Sequence, residues 1–449
     1  MSASQKKLTF VELTMATILN MVGSSIILMP TKLAEVGTMS IFAWIVTIIG
    51  STSVAYVFAR CGTLCRNNAS GLGGYSQYAF GRSGSFLANY TYGVSLLIAN
   101  LSIAVSVVGY GAMIFDAQLS ALEIGFYSMA LIWLCTVINF PGVRATGRVS
   151  LFFAWSLIIP ILFLCTAGWF WFSADRFVAA WNPHNMSYFE GISASLSMTL
   201  WGFLGLESAC ANADRVDNPE KTVPRAVLCA TAAVALIYIF SNNIAAGIVD
   251  NAALASSTAP FGLVFATMFT PFIGKCIMAV MALAEAGALM SWQFTLAEVF
   301  RGSAREGYFP KCFAKLSSRQ VPVIGMIIIA LLQSLLAVLT MSPKLEEQFF
   351  ILVDLAVVTN LVPFLFALAA INVMLDREDL GVTVREQRLT MILSGIGSVY
   401  SLYALYASGP TAMLWGGLAT FAGIWFYGFT SRVPNAAHKV VTAQHTIKN

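Results

Sequence analysis

Three carboxylates stand where runs of apolar residues should exclude them: Glu207 in "TLWGFLGLESACAN", Glu285 in "MAVMALAEAGALMSWQF" and Asp354 in "FFILVDLAVVTN". An ionisable group in hydrocarbon is costly, and where it persists it marks a path for ions or charged ligands. Aromatic and amide side chains recur near them: Tyr92, Asn100 and Tyr110 in one run, with Trp201 and Trp292 in two others. Ring faces attract ammonium groups, and amide oxygens accept from them. Trp201 and Trp292 lie inside their runs, whereas Trp169, Trp171 and Trp181 sit at a run's edge, where tryptophan belongs to the interfacial belt. Ala288, Leu289 and Trp292 follow Glu285 at i+3, i+4 and i+7, on one helix face, so a path lined by Trp292 is expected to meet Glu285. Asp354 is read either as facing an outer vestibule or as an interfacial residue.

The backbone carries a second signal. "NMVGSSIILMP" places Gly23-Ser24-Ser25, followed by Ile26, in the middle of an apolar run. Glycine costs about 1 kcal/mol relative to alanine in a helix, and serine competes for backbone hydrogen bonds. A second run is interrupted at Gly202 and Gly205 just before Glu207. Unwinding at both places would free N–H groups that suit a carboxylate and carbonyls that suit an ammonium. A site accepting both fits a small zwitterion or its amine. The plainer alternatives are close helix packing by small residues, a capping role for Glu207 in place of a gating or proton-sensitive one, and a protonated packing role for Glu285.

These residues must be positioned by membrane helices. The chain of 449 residues is 58% hydrophobic and 10% charged, against about 25% charged in soluble domains. Twelve apolar runs lie near 10–33, 40–60, 86–114, 121–140, 150–172, 190–212, 225–247, 272–300, 322–341, 348–374, 390–407 and 411–430. Each approaches the ~20 residues needed to cross hydrocarbon as helix. With the N-terminus inside, only Lys32, Arg176, Lys275 and Lys344 of the 25 Lys and Arg fall outside, which places both termini in the cytoplasm. The interrupted runs are the first and the sixth, and so enter from opposite sides. Such matched breaks point to a transporter's binding site. The reading is one all-α transporter domain over 1–449, with repeats at 10–172 and 190–374 and two further helices at 390–430. The outer stretch "TAPFGLVFATMF" reads as a short helix along the surface.

Several classes are set aside. No cleavable signal is read at the N-terminus. The formal charge of +4 reflects the inner loops and does not argue for nucleic acid. Three histidines, all in loops or the tail, and eight scattered cysteines supply neither a catalytic centre nor a metal set, and no cofactor is expected.

The segments "MPTKLAEVGT" (29–38), "ANYTYGVSLLIAN" (88–100), "TLWGFLGLESACAN" (199–212), "STAPFGL" (257–263), "GYFPK" (307–311) and "DLAVVTN" (354–360) carry a family resemblance over nearly the whole length. The chain resembles the amino acid–polyamine–organocation transporters, and within them the basic amino acid/polyamine antiporters. The resemblance implies twelve helices in a LeuT-like five-plus-five inverted repeat, with helices 1 and 6 discontinuous. It also implies exchange of a basic amino acid, ornithine favoured, for its decarboxylated diamine, putrescine favoured, across a bacterial inner membrane. By position, Gly23 to Ile26 would meet the α-carboxylate, Trp201 would stack on the aliphatic chain, Glu207 would gate, and Trp292 would close the path. Tyr92 and Asn100 would line the site from helix 3, and Tyr427 matches an aromatic that affects transport. The chain departs from its relatives at Gln77 (Glu), Glu285-Ala286 (Cys-Cys) and Asp354 (Asn). The added acids fit a dication, with Glu285 holding a second ammonium or a proton, and leave lysine/cadaverine and histidine/histamine exchange open beside ornithine/putrescine. Proton-coupled uptake is the alternative mechanism. Ala288 and Leu289 replace the hydroxyls that sodium-coupled relatives use. The partners expected are the cationic substrates, lipid and a cytoplasmic decarboxylase acting in series, with a homodimer left open.

Overall fold

The computed structural model describes residues 9–65, 72–141, 143–208, 216, 218–307, 309–342, 344–376 and 383–430. The termini and the loop segments 66–71 and 377–382, which hold several of the basic residues used for orientation, lie outside the described residues. So does 209–215, the expected end of the sixth run.

Each apolar run carries a helix. The first run divides into α1 (Phe10–Ser25) and α2 (Met29–Val36). α3 (Ile41–Leu64), α4 (Leu72–Ile114), α5 (Ala121–Ile138) and α6 (Val143–Ala167) follow, then short α7 (Ala174–Ala179) and α8 (Tyr188–Trp201). The second part holds α9 (Pro219–Ile248), short α10 (Asn251–Ala255) and α11 (Pro260–Met268), α12 (Pro271–Arg305), α13 (Val323–Leu339), α14 (Leu345–Leu375), α15 (Val384–Ala407) and α16 (Gly409–Thr430). α11 covers the expected outer-surface helix. Among the described residues, eight helices are long and apolar enough to cross a membrane, while Phe10–Gly23, Trp155–Phe170 and Val323–Leu339 are shorter apolar helices.

Local chemistry explains several boundaries. Thr9/Glu12, Ser120/Glu123, Ser187/Glu190 and Thr383/Glu386 form reciprocal capping boxes at the starts of α1, α5, α8 and α15, each satisfying two otherwise orphaned N–H groups. Gly81 has φ +64° inside α4 and divides an inner segment from the long span; this left-handed backbone favours glycine over any residue with a Cβ.

The break in the first run falls at Ile26–Leu28, immediately after the Gly-Ser-Ser triplet, and not within it. Gly23 and Ser25 stay helical: Ser25 Oγ donates back to the Met21 carbonyl at 2.7 Å, and Gly23 packs toward Ala288 of α12. Pro30 sets the boundary. It has no N–H to donate, and inside a continuous helix its ring would collide with the Ile26 carbonyl four residues back. The side chains of Ile26, Ile27 and Leu28 are fully buried, so the break is enclosed by protein, as lipid-free irregular backbone must be.

α4 and α14 form the most extensive helix pair, and α12 packs on α4. Their contact faces make the centre of the molecule. Around it, Leu331, Leu335, Trp415, Phe421 and Trp425 are exposed. An apolar exterior of this extent belongs in hydrocarbon, and the chain is a multi-pass membrane protein.

Candidate functional site

The two interruptions meet. Gly205 has φ +108°, and a Cβ there would lie 2.8 Å from the Asn20 carbonyl oxygen, so only glycine lets this loop touch α1. Asn20 Nδ2 also donates to Ser208 Oγ at 2.9 Å. The stronger clasp is Tyr238 of α9. Its hydroxyl lies 2.9 Å from both the Met21 and the Gly202 carbonyl oxygens and 2.5 Å from Ser25 Oγ. One phenol thus engages carbonyls on either side of the paired breaks. No side chain caps the N-terminus of α2.

Glu207 is 5% exposed and held at both oxygens. Oε2 accepts from the Gly205 N–H at 2.9 Å and Oε1 from the Tyr92 hydroxyl at 3.0 Å. The carboxylate therefore closes the second break and ties it to α4. A small hollow adjoins it. Its walls include Asn20, Met21 and Ser25 of α1, Ser95, Leu96, Ala99, Asn100 and Ile103 of α4, and Trp201, Leu204, Gly205 and Glu207 of the second break. Trp292 of α12 and Asn360 of α14 complete it. Trp201 Nε1 is buried without a hydrogen-bond partner among the described residues. A carboxylate, aromatic rings and amide oxygens around one hollow suit an organic cation.

Of the residues singled out in the sequence, Ser25, Asn100, Trp201, Glu207 and Trp292 line this hollow. Gly23, Ile26, Tyr92 and Gly202 are not on its wall: Tyr92 is tied to it through Glu207, and Gly202 is wedged against Tyr238 and Met29, where a Cβ would come within 2.9 Å of both. The side chain of Ser24 lies outside the described residues.

Three expected residues lie elsewhere. Glu285 is fully buried and not on the wall of the hollow, with Oε2 accepting from Ser106 Oγ at 3.2 Å and, among the described residues, no partner at Oε1. Its i+7 relation to Trp292 puts them on one face but two turns apart, and the hollow ends before the second turn. Asp354 Oδ1 accepts from Ser197 Oγ at 2.6 Å, off the hollow. Tyr427 packs on Phe86, with centroids 5.0 Å apart, and borders a separate apolar groove with Phe80, Phe366 and Ile424. α16 is peripheral, so its residues do not reach the centre.

Tyr238, Asn20 and Asn360 were not anticipated. Each is a polar residue within an apolar run, a pattern that reveals its cost in lipid but not the partner it meets.

The family model for amino acid permeases matches residues 8–424. The chain is 54% identical over 431 residues to the putrescine transporter PotE of Haemophilus influenzae, covering 96% of this chain and 98% of that relative. It is 51% identical over 429 residues to the putrescine transporter PotE of Escherichia coli strain K12, covering 96% and 97%. The cadaverine/lysine antiporter of the same strain is 29% identical over 412 residues, covering 90% of each.

Proposed function

The chain belongs to the amino acid permease family, and from that premise we propose that it is an antiporter exchanging a basic amino acid, ornithine favoured, for its diamine, putrescine favoured. It is a transporter and not an enzyme. One observation carries the reading: two interrupted helical stretches touch at Gly205 and Asn20, are clasped by Tyr238, and present Glu207 to a hollow walled by Trp201 and Trp292. Similarity near half identity to two putrescine transporters, against 29% to a cadaverine/lysine antiporter, favours the four-carbon diamine.

In this reading the chain has twelve spans as an inverted five-plus-five repeat with two added helices. Both termini face the cytoplasm of a bacterial cell, and the protein lies in the inner membrane. The α-carboxylate of the amino acid sits by the α1–α2 break, the aliphatic chain lies between Trp201 and Trp292, and an ammonium pairs with Glu207. A diamine carries one more positive charge than the amino acid it replaces, so each exchange moves charge. A cytoplasmic decarboxylase acting in series consumes a proton, and the pair works as an indirect proton pump.

Counterflow in proteoliposomes tests this. Labelled putrescine is expected to enter vesicles loaded with ornithine or putrescine and not empty ones. Uptake into empty vesicles driven by a proton gradient alone would replace exchange with proton-coupled uptake. A panel of lysine, cadaverine, histidine and histamine fixes the substrate pair.

A further inference from the structure

Trp44 of α3 and Asn242 of α9 leave complementary polar ends. Trp44 is 1% exposed and Asn242 5%. Among the described residues, neither Trp44 Nε1, a donor, nor Asn242 Oδ1, an acceptor, has a hydrogen-bond partner. Both residues line one small cavity that shares no lining residue with the hollow. Leu33 and Ala34 of α2 and Asn251 of α10 form other parts of its wall.

The Asn242 amide cannot turn round. Its Nδ2 donates to the Tyr238 carbonyl at 2.8 Å, and a carbonyl oxygen only accepts. The amide oxygen is therefore the end left over. No Asp, Glu, Lys, Arg or His lines the cavity among the described residues. An ammonium has no carboxylate to pair with there and meets the indole N–H; an anion meets the amide oxygen. The pair is completed by a neutral molecule that both accepts and donates, and water is the smallest that does so.

The same two residues hold Tyr238. The Trp44 ring lies against the Tyr238 ring, with centroids 5.7 Å apart, and Asn242 is one turn further along α9. Tyr238 in turn carries the hydroxyl that meets the Gly202 carbonyl. We propose that a water molecule accepts from Trp44 Nε1 and donates to Asn242 Oδ1, and that this bridge between α3 and α9 keeps Tyr238 against the paired breaks. Trp44 and Asn242 are positioning residues that act on the site through Tyr238. The water site stands on the packing alone; its effect on exchange rests on the exchange reading.

A cryo-electron microscopy map of the purified full chain, at a resolution that shows ordered water, tests the site directly. A peak within about 3.2 Å of both Trp44 Nε1 and Asn242 Oδ1 is expected. A map that shows other internal waters and none here would overturn the assignment. Trp44→Phe, Asn242→Leu, Tyr238→Phe and their double variants test the bridge by coupling. Trp44→Phe is expected to lower Tm, and to lower it by less than about half as much in Asn242→Leu, where the bridge is already lost. It should slow putrescine counterflow about threefold, the worth of one modest hydrogen bond, and add no further slowing in Tyr238→Phe. Equal loss of Tm in both backgrounds would overturn the bridge, and the same slowing in Tyr238→Phe would overturn its action through Tyr238. A chain that shows the peak and the Tm coupling but exchanges no putrescine would overturn the exchange reading and leave the bridge standing.

Discussion

Glu207 and Glu285 are both buried carboxylates, yet their surroundings assign them different work. Glu207 accepts from Tyr92 and Gly205 and still faces the hollow. Replacing it by Gln removes the charge and one acceptor, so Glu207→Gln should weaken putrescine binding about tenfold or more, measured by equilibrium binding on the purified protein. Glu285 does not line the hollow, and among the described residues one of its oxygens has no partner. The single hydroxyl proton of Ser106 can go instead to the Ile103 carbonyl, 2.8 Å away, so Ser106 stays satisfied without Glu285. Burying an unpaired polar atom costs stability, so Glu285→Met is expected to hold or raise Tm and to leave the putrescine Kd within about threefold. A large loss of binding in Glu285→Met with Tm unchanged would return Glu285 to the substrate path. The sequence identified both as costly; it could not show which one borders empty space, because that depends on where the helix faces converge.

At the scale of elements, the paired breaks depend on one glycine and one hydroxyl. Gly205→Ala places a methyl 2.8 Å from the Asn20 carbonyl on left-handed backbone, which must part the loop from α1. Exchange is expected to fall to background, with Tm lowered, whereas Ala at Gly417, where nothing lies within 4 Å, should change neither. Tyr238→Phe removes the hydroxyl at the Gly202 carbonyl, while the Met21 carbonyl keeps Ser25 Oγ as donor, so one group is left unpaired at a cost of ~1–3 kcal/mol, read as a lower Tm and slower exchange. The interruptions themselves were legible in residues: Gly202 and Gly205 before Glu207, and the Gly-Ser-Ser triplet in the first run. The triplet marked the region but not the boundary. Small residues only weaken a helix, and here Ser25 found a backbone partner and Gly23 a neighbour, while Pro30, which lacks an N–H and crowds the preceding turn, favours a break just before it. Tyr238 left no such trace, since its role arises from a contact across more than 200 positions of sequence.

Across the whole molecule, the central helices α4, α12 and α14 are packed face to face while the outer surface is apolar and exposed. That division lets the hollow between the breaks be reached by a charged ligand without opening any helix to lipid. The helical runs were readable from hydropathy, but their burial was not: α16 is apolar enough to span yet lies at the edge, which is why Tyr427 is absent from the site. The account rests on the hollow between the two breaks being where substrate sits. Leu204 lines it without contributing a polar contact. In a chain whose eight native cysteines are replaced by alanine, Leu204→Cys can be reacted with a methanethiosulfonate reagent in proteoliposomes. Putrescine is expected to slow the reaction, with half-protection at the concentration that half-saturates exchange. Labelling at the same rate with and without saturating putrescine, while exchange continues, would contradict it.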